Sequence, residues 1–216
     1  MNLYQIGDYY FYTFNKTQFM KQLYLFLCML IPSLCMPQEV KSNKDEYKNK
    51  GYFNITRFSY ILVNTIKEDI FTPGTGNSSQ DLPTDNAKAF SLQTINGYFF
   101  NPYFSAGVGV GLDGYSDPNI NTFPVFAEVR AYLKDSRNTP FAFIDYGGLI
   151  KISDNFKRGN MFNIGAGYKV FISNRLALMP EISYSVKNIS LTDEKVKTSD
   201  DTVNISGIQF GIGIIF

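Results

Sequence analysis

From Gly51 to Phe216, apolar and polar residues alternate with a period of two, broken only by clusters of Gly, Pro, Asn, Asp and Ser. No apolar stripe with the 3.6-residue period of a helix runs through this part of the chain. The pattern predicts eight strands: 51–63, 88–99, 103–113, 122–133, 140–152, 161–172, 176–187 and 203–216. In the last, Ile208, Phe210, Ile212, Ile214 and Phe216 share one face, and Gly207, Gln209, Gly211 and Gly213 share the other. Strand 161–172 sets Phe162, Ile164, Ala166, Tyr168, Val170 and Ile172 against Asn163, Gly165, Gly167 and Lys169. All eight are longer than the ~5 to 6 residues usual in a globular sheet and match the ~9 to 11 that a tilted strand needs to cross a bilayer.

The second face decides what such strands build. A soluble barrel turns its apolar face inward and covers its outside with Lys and Glu. Here the second faces carry mostly Gly and Ser with one or two charges each, a poor solvated exterior and a good narrow interior. The expected sense is therefore apolar to lipid and polar to lumen. Backbone groups in hydrocarbon must all pair, so the sheet must close. The connections agree: long ones (64–87, 114–121, 153–160, 188–202) alternate with short ones (100–102, 134–139, 173–175), as when one rim carries external loops and the other tight periplasmic turns. The fold expected is all-β, an eight-stranded antiparallel up-and-down transmembrane β-barrel over 51–216.

Upstream of the barrel, Leu23 to Ile31 is an apolar run too short to span a bilayer as a helix but suited to a secretory signal. Residues 20–35 are expected to be that signal peptide, with Met20 as the start, Lys21 as its basic region, and Ser33 and Cys35 as the small residues of the cleavage site. Residues 1–19 then read as an upstream extension from a start codon placed too early, and 36–50 as a polar periplasmic leader. Both cysteines, Cys28 and Cys35, would leave with the signal.

Charge and composition narrow the chemistry. A net charge of +1, from 20 basic and 19 acidic residues, gives no basic surface for nucleic acid. The chain has no histidine, which excludes imidazole bases, histidine metal ligands and histidine pH switches. Gly109 to Gly114 matches the dinucleotide fingerprint GxGxxG, but a loop follows where a helix is required, so the glycines read as small residues facing the lumen.

The runs FSLQTINGYFFNPYFSAGVGVGLDGY, FPVFAEVRAYL, PFAFIDYGG and FNIGAGYKVFISNRLALMPEISYSV, with the terminal Phe216, resemble the small outer-membrane β-barrel domain proteins of Gram-negative bacteria. The resemblance implies residence in the outer membrane in contact with its lipid, and assembly by the barrel-assembly machinery with Phe216 as the signal it reads. Barrel enzymes of the lipid-modifying and proteolytic types generally rely on a histidine, so no enzyme, catalytic residue, cofactor or metal is expected. Pro180 is expected to sit in a bulge. Arg57, in conflict between the two faces, is expected to mark a bulge or register change.

The candidate site is a set of inward charges: Asp113, Glu128, Arg130, Asp145, Lys151, Lys169, Glu181 and Lys187, to which Arg57 belongs if its strand keeps phase. A barrel of eight strands is about wide enough for side chains to fill it, and buried charges must pair to be tolerated. The expected role is a monomeric structural or surface-interaction protein that meets an extracellular ligand through loops 64–87 and 188–202, its lumen plugged by paired charges. The alternative is a narrow pore, or a barrel binding a small molecule or lipid.

Overall fold

A computed structural model describes residues 49–72, 76–84, 87–116, 121–150, 156–173, 176–191 and 202–216. Nine strands are present among them: β1 (Gly51–Thr72), β2 (Gly76–Leu82), β3 (Lys88–Asn101), β4 (Phe104–Tyr115), β5 (Asn121–Tyr132), β6 (Thr139–Ile150), β7 (Phe156–Phe171), β8 (Ala177–Leu191) and β9 (Thr202–Ile215). Eight of them, β1 and β3 to β9, form a closed antiparallel ring, each paired with its neighbour and β9 paired back onto β1. Closure runs to the last residue, where Asn54 and Phe216 exchange both backbone hydrogen bonds at 3.0 Å. No sheet edge is left within the ring, the condition for crossing hydrocarbon with strands. The segments read as signal peptide and most of the leader lie outside the described residues.

The ninth strand corrects the reading of 64–87 as a loop. β1 continues to Thr72, and β2 returns along it in the register Ile66↔Leu82 to Thr72↔Gly76. On its other side the same stretch pairs with β9 from Thr65↔Ser206 to Asp69↔Thr202. The sequence here is polar and charged, so no apolar face marks it as strand. The ladder persists because the partner strand extends with it, and exposed cross-strand contacts (Gln80 Nε2 donating to Glu68 Oε2 at 2.9 Å, Lys67 to Asp81 at 4.0 Å) follow from that pairing. β7 and β8 likewise run past their expected limits together, through Asn160↔Asn188 and Arg158↔Ser190. Residues 192–201 of the other expected loop lie outside the described residues.

Neither Pro180 nor Arg57 marks the expected irregularity. Arg57 sits in an unbroken register, Arg57↔Gln93 on one side and Arg57↔Gly213 on the other, and the irregularity in β1 falls at Val63/Thr65. At Pro180 the pairing with β7 is interrupted between Gly167↔Glu181 and Val170↔Leu178 without an extra residue, while pairing with β9 continues through Pro180↔Ile212. A missing N–H removes a ladder bond on one side only, and the strand stays in phase.

The outer wall is apolar. Val129, Ile144, Tyr146, Ile164, Ile182, Tyr184, Phe210 and Ile212 are all exposed there. Tyr52, Tyr98, Phe100, Tyr103 and Phe104 form an aromatic group at the end that carries the short turns, the position of an interfacial girdle. An Ile144→Arg change, at the middle of β6, should destabilise the barrel in lipid by ~2 to 4 kcal/mol, measured by urea unfolding in vesicles. An unchanged midpoint would mean that this face does not meet hydrocarbon.

Inside, glycines make room for rings. A Cβ added at Gly109 would lie 2.3 Å from the Phe126 ring, and one at Gly167 would lie 2.5 Å from that of Phe141. The inward faces are not uniformly Gly, Ser and charge, as the alternation had suggested. Aliphatic side chains (Ile66, Leu149, Ile189 and Val203, with Leu82 packed against them) fill the extracellular end, and Phe53, Phe99, Tyr132, Phe141 and Phe171 fill the periplasmic base. Polar groups occupy the levels between.

Candidate functional site

The charged side chains of the bore come from strands whose odd or even residues face inward without interruption, which is why they reach one another. Glu128↔Asp145 and Asp145↔Asn163 are direct cross-strand neighbours on β5, β6 and β7. Arg130 lies two residues along β5 from Glu128 on the same face, and its guanidinium grips that carboxylate in a fork, Nε to Oε1 at 2.6 Å and Nη2 to Oε2 at 2.9 Å. Its Nη2 also stands 3.5 Å from Glu181 Oε2. Its flat face lies against Phe141 and Phe143, 4.7 and 5.0 Å from the ring centroids.

Arg57 is the centre of this level. It enters from β1 and reaches the diametrically opposite strand, β6, where Nη2 donates to Asp145 Oδ2 at 2.7 Å. Nη1 donates to Glu128 Oε2 and Glu181 Oε1, each at 3.2 Å, while Nε and Nη2 hold Gln93 Oε1 at 2.8 and 2.6 Å. Asn163 Nδ2 donates to Asp145 Oδ2 at 3.1 Å. Arg57, Arg130 and Asp145 have no exposed surface at all, and Glu128 has 1%. Two guanidiniums and three carboxylates thus share a water-poor level where each depends on the others for its charge compensation.

A second bar crosses the bore nearer the extracellular end. Lys187 on β8 and Asp113 on β4, again opposite strands of the ring, meet at 2.5 Å, and Thr122 Oγ1 donates to the same Asp113 oxygen at 3.0 Å. The Tyr115 ring lies 5.1 Å from Lys187 Nζ.

Lys169 stands apart at the periplasmic base. Its Nζ donates to Asn49 Oδ1 and faces the rings of Phe99, Tyr132 and Phe171 at 5.9, 5.1 and 5.1 Å. Asn49 precedes β1 and in turn donates through Nδ2 to the Pro102 carbonyl at 2.9 Å. Lys151 lies outside the described residues. Asp113, Glu128, Arg130, Asp145, Lys169, Glu181 and Lys187 therefore all face the bore, in three separate levels rather than one network.

The alternation alone underweighted Arg57 because both faces of β1 are apolar: Tyr52, Phe58 and Leu62 point out, while Phe53, Ile55 and Ile61 point in. The signal was its odd-numbered phase with Phe53 and Ile61. Gln93, Asn163 and Asn49 carried no charge to draw notice. Among the described residues no group of three or more His, Cys, Asp or Glu is placed to hold a metal ion.

No protein-family model and no curated protein sequence matches the chain. Among solved structures it is similar to the outer membrane protein OprG from Pseudomonas aeruginosa, with a TM-score of 0.50 and 11% identity over 78% of this chain and 97% of that one. It also overlays AlkL, solved in DMPC lipid bilayers (TM-score 0.46, 16% identity, 83% and 96% covered), and Neisserial surface protein A (TM-score 0.44, 12% identity, 77% and 98% covered). With its closed ring, its apolar outer wall and that likeness to OprG, the chain has the fold of the small eight-stranded outer-membrane β-barrels, a protein of the cell outer membrane.

Proposed function

We propose that this protein is a non-enzymatic, monomeric outer-membrane scaffold whose bore is closed and whose contacts with the outside are made at its extracellular rim. The observation that carries this reading is that the bore is crossed at two levels by buried ion pairs, Arg57 to Asp145 and Lys187 to Asp113, beneath an aliphatic cap. An ion moving along the axis would have to break both bars and enter apolar packing, and in a barrel of eight strands there is no width to pass beside them. The rim offers the β1–β2 hairpin, with Glu68, Asp69, Gln80 and Asp81 on polar strands, together with the outer end of β8, where the expected loop 188–202 begins. Rigid scaffolds that bind through such exposed elements keep the wall fixed and vary the rim.

Conductance separates this reading from a pore. Refolded protein in a planar bilayer should give no stable single-channel steps across the voltage range the membrane tolerates. Reproducible steps from protein shown to be folded would overturn it in favour of a narrow channel.

A further inference from the structure

A recess of about 300 Å³ indents the barrel at the periplasmic end of β5 and β6, lined by Ala131, Tyr132, Leu133, Pro140, Phe141 and Ala142. The side chains of Tyr132 and Phe141 are buried in the bore, so the recess opens on the outer wall and takes its shape from Ala131, Leu133, Pro140 and Ala142. Its cause is a row of small residues at one level of three adjacent strands: Ala131↔Ala142 joins β5 to β6, and Ala142↔Ala166 joins β6 to β7. Two residues farther up each strand the same face carries Val129, Ile144 and Ile164. On the lower side Leu133 donates its N–H to the Pro140 carbonyl at 3.0 Å, and Pro140 is paired with Tyr168. Phe104, the neighbour of Ala131 on β4, stands at one end.

A recess of six residues is far smaller than the ~800 Å² that each partner gives to a stable protein interface, so a second barrel does not account for it. On a wall that faces hydrocarbon, a lipid chain does. Leu133 and Pro140, at the lower lip, flank the β5–β6 turn, which lies at the level of the headgroups. Lys134 opens that turn; it is exposed, and its backbone N–H donates to Thr139 Oγ1 at 3.0 Å, which pins it. The other two charges of the turn are directed elsewhere. Asp135 acts on Lys169 at the base of the bore, while Arg137 donates to the Ser173 carbonyl at 3.2 Å and lies 5.2 Å from the Phe171 ring centroid. We propose that β5 and β6 form a binding site for an anionic phospholipid of the periplasmic leaflet, one acyl chain in the alanine recess and the phosphate beside Lys134. The recess fixes where the chain lies, and Lys134 makes the site prefer a negative headgroup. The site requires the barrel fold alone and is independent of whether the bore is closed.

The chain has no tryptophan, so a single one placed in the wall reports its own surroundings. Val129→Trp, two residues from Ala131 on the same face of β5, reads the recess; Ile212→Trp, on the opposite strand β9, reads the wall away from it. Each protein is folded into vesicles of phosphatidylcholine and phosphatidylglycerol in which one lipid or the other carries dibrominated chains, and quenching gives the relative association of the two. At Val129→Trp, phosphatidylglycerol should associate about fivefold more strongly, the factor one cation near a membrane surface contributes. At Ile212→Trp the two lipids should associate equally. Within the Val129→Trp protein, Lys134→Gln should remove the preference, and Ala142→Leu, which fills the recess, should remove it as well, in samples whose unboiled gel mobility shows them folded. Equal association of the two lipids at Val129→Trp would overturn the site. So would a preference that survives either second change, since a survival in Ala142→Leu reduces Lys134 to an ordinary surface charge.

Discussion

Arg57→Met is expected to cost the folded barrel about 3 to 5 kcal/mol, the loss seen when one partner of a buried ion pair is removed and the others stay. Methionine keeps much of the stem volume, so packing against Phe126 and Phe143 changes little. What changes is the charge of the level: Glu128, Asp145 and Glu181 are left with Arg130 alone, and Arg130 is already committed to Glu128 through two hydrogen bonds. Asp145, held by Arg57 and Asn163, loses its one ion pair among the described residues. Adding Asp145→Asn to Arg57→Met should restore more than half of the loss, because it removes the charge the arginine compensated. Urea unfolding in lipid vesicles, followed by circular dichroism and unboiled gel mobility, measures both. If Arg57→Met unfolds at the wild-type midpoint, the level is hydrated enough to screen its carboxylates, and the closed-bore reading fails with it.

The second large effect comes from the backbone. Gly147→Ala places a Cβ 2.2 Å from the Val125 carbonyl oxygen and 2.5 Å from Phe126 Cα, atoms of the neighbouring strand that are themselves fixed in the β5–β6 ladder. A flexible side chain could swing away from such a contact, but a paired strand cannot. The expected loss is about 3 kcal/mol, the upper end of the ~1 to 3 kcal/mol typical of overpacking. The adjacent Gly148→Ala is the internal control. Its Cβ would meet nothing nearer than 3.8 Å, and its unfolding midpoint should stay within ~0.5 kcal/mol of wild type. Equal losses at the two positions would mean that generic strand propensity, not the close approach of β5, governs glycine use here.

How much of this could be read from the chain depends on where hydrophobicity carries information. Within the lipid belt, alternation is enforced by solvent on one side and bore on the other, so β4, β5 and β9 begin and end within two residues of their expected limits. Above the belt both faces of a strand meet water or polar groups. The alternation dies there while the hydrogen-bond ladder continues, so β2 and the outer ends of β1, β7 and β8 were invisible as strands. The inward charges were legible for the same reason that the strands were, since Glu128, Arg130, Asp145 and Lys187 fall on the face opposite an apolar row. Which charge meets which was not legible. Cross-bore contacts join opposite strands such as β1 and β6, and those depend on ring closure and stagger, which no local pattern encodes. The same holds for Lys169 and Asn49, 120 residues apart and joined because the end of β7 and the chain before β1 meet at one rim.

The two ends of the bore differ in a way that gives the molecule a direction. At the extracellular end the packing is branched aliphatic, with Ile189 completely covered and Val203 at 3% exposure; at the other end are flat rings around an ammonium. Ring faces stabilise a buried cation and branched aliphatic side chains do not, so the ammonium that the base of the bore tolerates would lose that compensation if it were moved to the other end.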